Sequence, residues 1–220
     1  MKKLIIPLII TAAIAMSSLF SGCYSDTVDS ISKFPFQLII NFNSDHYDRA
    51  APDTSWDFTN LHKYSAYTEN KDKIISSEIL SFNYWINNLT TEDGVYDSTK
   101  HDIQFEFVKF YLQFAKTKNP GTPEELLDES HWERDPTSAI YHLGTFENVD
   151  VKDYFRYAHN IREVPEDVAK VISEALKERP AFYILTEYSM VKGQTEPKYI
   201  FPYVEGRYDL DIRFEVDLFK

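Results

Sequence analysis

From Gly206 to Phe219 the chain alternates without a break. Tyr208, Leu210, Ile212, Phe214, Val216 and Leu218 are apolar, and Arg207, Asp209, Asp211, Arg213, Glu215 and Asp217 between them are charged. Successive side chains of a strand point to opposite faces, so this pattern predicts a long strand with one face in a core and the other in water. Parallel strands of α/β proteins are covered on both faces and read as continuous apolar runs, whereas clean alternation belongs to antiparallel sheets. The rest of the chain must therefore supply further strands of this kind and a second layer to cover their apolar face.

Several segments qualify. In residues 34–43, Phe34, Phe36, Leu38, Ile40 and Phe42 alternate with Gln37, Asn41 and Asn43, and Pro35 suits the start of an edge strand. Between Ile74 and Leu89, Leu80, Phe82, Tyr84 and Ile86 alternate with Ser81, Asn83 and Trp85, and Asp93-Gly94 marks the turn that follows. Phe182, Ile184, Tyr188 and Met190 define another strand, after which the loop 192–198 turns the chain back. Weaker strand character surrounds Ile140-Tyr141 and Phe146 to Val151. Residues 102–115 are apolar at odd positions up to Phe107 and at even positions from Val108. Such a change of parity sends side chains to the opposite face, so a β-bulge is expected at Phe107-Val108. Residues 44–73 read as a polar, irregular connection tacked to the core by Trp56, Phe58, Leu61, Tyr64 and Tyr67.

Helical signals are few. Residues 165–178 open on Pro165, Glu166 and Asp167, carry Val168, Val171, Ile172, Ala175 and Leu176 as one stripe, and stop before Pro180. A short helix is predicted near 123–130, where Thr122 and Glu125 have the spacing of a capping box around Pro123. Helices do not recur between strands, so the expected class is mainly β: an antiparallel β-sandwich or partly open barrel with one packed amphipathic helix.

The N-terminus raises a separate question. Met1-Lys2-Lys3 is followed by an apolar run, Leu4 to Met16, and then by the small residues Ser17 and Ser18 and, after Leu19-Phe20, Ser21 and Gly22. A basic start, an apolar middle and a small-residue end describe an export signal. Counted as far as Phe20, the run also reaches the lower length limit of about 17 residues for a membrane span, but Pro7 and the serines weaken that alternative and no basic cluster follows. Leu19-Phe20-Ser21-Gly22-Cys23 resembles the lipobox of bacterial lipoproteins, with Phe20 standing where Leu is commonest. The resemblance covers residues 1–23 only. It implies that residues 1–22 are a signal peptide cleaved after Gly22, that the thiol of Cys23 receives a diacylglycerol, and that acyl chains on Cys23 tie the protein to a membrane. Tyr24 and Ser25 follow the cysteine where some lipoproteins carry the aspartate that retains them at the inner membrane, so the implied destination is the outer membrane, at its periplasmic face or the cell surface. Residues 23–33 would then be a lipidated tether and 34–220 a single β-rich domain. Extended, the ten residues Tyr24 to Lys33 reach at most roughly 35 Å.

Charge narrows the partners. The chain holds 35 acidic against 23 basic residues, and loss of Lys2 and Lys3 with the signal takes its formal charge from −12 to −14. Nucleic acid is disfavoured, because phosphate binding needs clustered Lys and Arg. An acidic domain is also expected to stand off an anionic lipid surface. With one cysteine the domain has no disulfide pair to form, so its stability must come from burial.

Catalytic patterns are missing from the sequence: no G-x-S-x-G elbow, no H-E-x-x-H, no phosphate-cradling glycine loop. No enzyme activity, cofactor or metal is expected. His131, Glu133 and Asp135 in HWERD are a weak metal candidate read chiefly as a solvated loop. The outward row Asp209, Asp211, Glu215 and Asp217 is read chiefly as a solvated sheet face. Aromatic residues make up 15% of the chain. Three readings are open: they build the core; Trp56, Trp85 and Trp132 form a recognition platform for glycan or protein; or the Phe residues line a cavity for an acyl chain with the amphipathic helix as lid. The expected function is a non-enzymatic binding or scaffolding module of the cell envelope, with a carrier or chaperone for lipid or another apolar ligand as the alternative.

Overall fold

The computed structural model describes residues 32–47, 53–156, 160–189, 191–192 and 203–219. Ten strands form two antiparallel sheets. The first sheet runs β1 (Lys33–Tyr47), β10 (Tyr203–Asp217), β3 (Ile74–Thr91), with β4 (Gly94–Val95) and β8 (Asn160–Glu163) both pairing with β3. The second runs β2 (Asp53–Asn60), β9 (Ala181–Tyr188), β5 (Gln104–Thr117), with β6 (Trp132–Arg134) and β7 (Ile140–Asp150) both pairing with β5. The expected β-sandwich is therefore the fold, with short helices α1 (Ser65–Asn70) and α2 (Val151–Tyr154) and one longer helix α3 (Glu166–Leu176).

The alternating segment that predicts the architecture is β10, and it occupies the centre of the first sheet. Tyr208, Leu210, Ile212, Phe214 and Val216 are buried, and the acidic residues opposite them face out. β10 pairs with β1 from Lys33↔Asp217 to Tyr47↔Tyr203 without a register shift. Against β3 it shifts between Glu205 and Gly206, between Asp211 and Ile212, and between Glu215 and Val216. Each extra residue on β3 adds local bend and twist, which curls this sheet. One extra residue is Leu80, so Ile79, not Leu80, continues the inward row below Phe82.

Aromatic rings fill the space between the sheets. Phe110 lies 5.3 Å from Phe82, 5.4 Å from Tyr84 and 4.9 Å from Tyr208, ring centre to ring centre. Phe146 closes on the same group at 5.2 Å from Phe82. Such tilted and edge-to-face contacts add to the burial of the rings themselves.

Three local expectations are corrected. The described part of residues 44–73 is not irregular: β1 runs on to Tyr47, β2 pairs with β9 from Asp53↔Tyr188 to Asn60↔Ala181, and helical turns occupy most of 61–73. β2 carries no alternation in its sequence because it lies at the sheet's edge with polar residues on both faces. The bulge expected at Phe107-Val108 is also not there: β5 keeps one register with β7 from Gln104 to Phe110, and the bridge Phe105↔Val191 continues its register with β9 from Val108 to Phe114. The irregularities lie on β7. Asn148 of β7, opposite Glu106, has φ 53, and the register with β7 shifts between Phe110 and Tyr111. Phe105, Val108 and Phe110 are all buried, while Phe107 turns outward under the ammonium of Lys109, 3.9 Å from its ring centre. In α3, finally, Val171 is 46% exposed, and Ser173 takes a place on the inner face beside Ala169, Ile172 and Leu176. Ser173 is tied to β3: its Oγ accepts from the Ile79 N–H at 3.2 Å, and its carbonyl accepts from Ser77 Oγ at 2.6 Å.

The short helix near 123–130 takes the form of two 3-10 turns, Glu125–Leu127 and Glu129–His131. The capping box is formed: the Thr122 N–H donates to Glu125 Oε2 at 2.8 Å, and the Glu125 N–H to Thr122 Oγ1 at 3.3 Å. Cys23, Gly22, Met190 and the loop beyond Lys192 lie outside the described residues.

Candidate functional site

The second sheet carries a cluster of aromatic side chains on its outer face, separate from the core between the sheets. Phe58 of β2 stands directly opposite Tyr183 of β9, and Tyr183 in turn stands opposite Gln113 of β5. The Phe58 and Tyr183 rings are 5.1 Å apart, and Trp56, two residues before Phe58 on the same face, meets Tyr183 edge-on at 6.4 Å. Trp132 reaches the group from β6, where Thr117↔Trp132 and Ala115↔Arg134 are paired, and its ring lies 6.1 Å from Phe58. Ala115 and Ala181 are small enough to let these rings lie on the sheet.

Polar ties hold the cluster in place. Trp132 Nε1 donates to the Leu126 carbonyl at 2.8 Å, and the fully buried Asn60 donates to the same oxygen through Nδ2 at 2.9 Å. The two 3-10 turns are thereby fastened to the end of β2. Burial, together with the Glu129 and Glu133 carboxylates, pushes the Tyr183 hydroxyl up to about 12, with Arg134 acting the other way. The faces of two rings are covered by cations: the Arg134 guanidinium lies 4.2 Å from the Trp56 ring centre and Lys63 Nζ lies 5.3 Å from that of Phe58. Beside Trp132 opens a groove of about 420 Å³, walled by Pro123, Leu126, Leu127 and Pro180 with His62 and Lys71 at its rim. Burial, then the nearby Lys71 charge, lowers the affinity of His62 for a proton.

Of the three tryptophans singled out in the sequence, the structure brings Trp56 and Trp132 together and leaves Trp85 on the other sheet, in β3 opposite Arg207. Phe58, Tyr183 and Arg134 are members that sequence reasoning missed. Trp56 and Phe58 do stand two apart, the spacing of one strand face, and that was the available signal. Tyr183 gave none, since it sits inside the run Phe182 to Leu185.

The other candidates resolve into structural partnerships. In HWERD, His131 Nδ1 is 3.0 Å from the Asn119 carbonyl, Glu133 pairs with Lys116 at 3.0 Å, and Asp135 pairs with Arg179 at 2.6 Å. The acidic row of β10 is taken up across the sheet: Asn41 donates to Asp209, Gln37 to Asp211 at 2.7 Å, and Ser76 to Glu215 at 3.1 Å. Among the described residues no group of three His, Cys, Asp or Glu side chains is placed to hold a metal ion. The groove of about 890 Å³ beside α3 is lined by Ile79, Leu80, Val164 and Ala169 but also by Glu78, Glu163, Glu166, Lys170, Glu174 and Lys177, six charged residues that suit an acyl chain poorly. No helix among the described residues is long and apolar enough to cross a membrane.

No protein-family model and no curated protein matches the chain. Solved structures with a partial likeness include infectious bursal disease virus, Gx strain, at 7% identity and a TM-score of 0.38, covering 84% of this chain and 32% of that one. The chain thus spans about a third of that protein's length. They also include the decameric BFDV capsid protein, at 8% identity and a TM-score of 0.32 over 83% of this chain and 99% of that one. The unassembled KI polyomavirus VP1 pentamer matches at 12% identity and a TM-score of 0.35 over 84% and 96%. Likeness this slight carries no argument about what the chain does.

Proposed function

We propose that the chain is a bacterial lipoprotein, acylated on Cys23 and held at the outer membrane, whose β-sandwich is a non-enzymatic binding or scaffolding module. The observation that carries the binding role is the Trp56, Phe58, Tyr183 and Trp132 cluster, built on the outside of a sheet and adjoining an apolar groove. Tryptophan, tyrosine and arginine at the centre of a partly desolvated patch are the composition of protein-binding hot spots. A protein partner suits this surface better than a glycan. Stacking of a sugar ring needs open aromatic faces, and Arg134 and Lys63 occupy those of Trp56 and Phe58. The aromatic packing between the sheets and the charged rim of the α3 groove favour a binding module over a lipid carrier.

Two measurements test this. Labelled palmitate should enter the wild-type chain and not Cys23→Ser; a wild-type chain that takes up no label ends the lipoprotein reading. A photo-crosslinker at Glu133, in intact cells, should trap a discrete protein adduct that is lost in Trp132→Ala, while one at Glu78 on the other sheet should not. Equal trapping at both positions, or trapping indifferent to Trp132, ends the assignment of this face.

A further inference from the structure

At one end of the first sheet the chain leaves two large apolar side chains in water. Leu218 is 44% exposed and Phe219 is 75% exposed, immediately after β10. The two are held there by the backbone: the Leu218 N–H donates to the Ser32 carbonyl at 2.9 Å, and the Phe219 N–H to Asp217 Oδ1 at 3.0 Å. The first of these bonds matters for placement. Ser32 and Lys33 are the residues at which the N-terminal segment joins the sheet, with Lys33 paired to Asp217. Phe219 therefore sits beside the point where the segment leading back to Cys23 departs, and only ten residues lie between Cys23 and the end of Lys33.

Cations gather at the same end. Ile74, the first residue of β3, is paired with Val216, so the turn Lys71–Lys73 just before it flanks the end of β10. Lys177 Nζ donates to the Ile75 carbonyl next to it. Lys33 on β1 and Lys71 and Lys73 before β3 thus flank the end of β10, with Lys177 beside Ile75; Glu69, Asp72, Glu174, Glu178, Glu215 and Asp217 are the acids of the same segments.

We propose that Leu218 and Phe219, with Lys33, Lys71 and Lys73 on the chain segments either side, form a membrane-contacting tip that seats the sandwich on the lipid surface to which it is tethered. This rests on acylation of Cys23. A Phe and a Leu presented among lysines can enter the headgroup boundary while the ammonium groups stay among the phosphates. The tether reaches at most roughly 35 Å, so it keeps this end, rather than the opposite one, within contact of the bilayer. The acidic bulk of the domain then faces away from the lipid. The expectation that the whole domain stands off its membrane gives way at this end to one point of contact, which also sets the direction in which the aromatic face of the second sheet is displayed.

The test uses the full, acylated chain in vesicles of phosphatidylethanolamine and phosphatidylglycerol that carry a quencher at headgroup depth. Because Cys23 is occupied by lipid, an added cysteine can be labelled alone. A fluorophore on Asp72→Cys should be quenched by the labelled lipid. One on Ser98→Cys, in the loop at the opposite end of the sheet, should not. Quenching at position 72 should be lost when Leu218→Ser and Phe219→Ser are introduced together, although the protein still floats with the vesicles. Equal quenching at both positions, or quenching at 72 that survives the double change, overturns the tip while leaving the anchor intact. A chain never acylated at Cys23 overturns both.

Discussion

The hydroxyl of Tyr188 lies 2.8 Å from Ser44 Oγ, and it also receives the hydroxyl of Tyr84 at 3.1 Å. This chain of buried oxygens links β9 of one sheet to β1 and β3 of the other. It lies directly over Gly206, where a Cβ would come within 2.3 Å of both Ser44 Oγ and the Tyr188 oxygen. Neither group can retreat, since Ser44 and Tyr188 are themselves fully buried.

Gly206→Ala should therefore destabilise the fold by about 3 kcal/mol, the sum of overpacking and a broken buried hydrogen bond. Tyr188→Phe, which leaves the space but orphans its partners, should cost about 1–2 kcal/mol. Denaturant unfolding of both variants checks the order. If Gly206→Ala unfolded like wild type, the oxygen chain would not be as closely seated as described.

Tyrosine ionisation should limit stability at high pH. Burial pushes Tyr183 and Tyr67 up to about 12 from an ordinary value of 10.0, and Tyr84 and Tyr208 well above it in the same direction. An acid whose proton is held more tightly in the fold favours the folded state while it is neutral. That contribution is complete below pH 10.0 and is lost as the pH rises from there towards about 12. Ultraviolet difference titration should show a set of tyrosines that ionise only as circular dichroism reports unfolding. A single smooth titration of every tyrosine near its ordinary value, with the fold retained, would contradict this.

The cation over Trp56 should be measurable. A double-mutant cycle between Trp56→Ala and Arg134→Ala is expected to give a coupling of about 0.5–1 kcal/mol, the usual size for a partly exposed pair of this type. Coupling near zero would mean that the ring face is open, and it would restore glycan stacking as a use for this surface.

Asn148 holds a left-handed backbone at φ 53 and its side chain is exposed. Asn148→Gly should be neutral or mildly stabilising, and Asn148→Val should cost about 1–2 kcal/mol, because a branched Cβ is disfavoured there. Thermal unfolding should place Asn148→Gly at or slightly above wild type and Asn148→Val below it by that amount.

The sheets were legible wherever one face meets the core and the other meets water. β1, β3 and β10 alternate for that reason, and Ile212 or Phe214 could be assigned a direction from spacing alone. Legibility failed where that contrast is weak. β2 has an aromatic outer face at Trp56 and Phe58 and buried polar residues at Thr59 and Asn60, so its two faces look alike in composition. The change of parity in β5 was visible, but the backbone irregularity that accompanies it belongs to Asn148 on β7, a distant part of the chain. The candidate site followed the same logic. Trp56 and Trp132 stood out as residue types, whereas their meeting depends on the register of β6 against β5 and on the Leu126 carbonyl, which no spacing encodes.

The pairing of β1 with β10 has a consequence in time. Among the described residues, the first strand has as its one neighbour within the sheet the last strand, over fifteen consecutive residue pairs. A polypeptide emerging N-terminus first from a ribosome or a translocation pore exposes β1 long before β10 exists to receive it. Closing so large a loop is slow and entropically costly. The β1 edge of the first sheet can zip up only after β10 has emerged, so the order of the strands itself leaves β1 waiting while the second sheet already has all its partners.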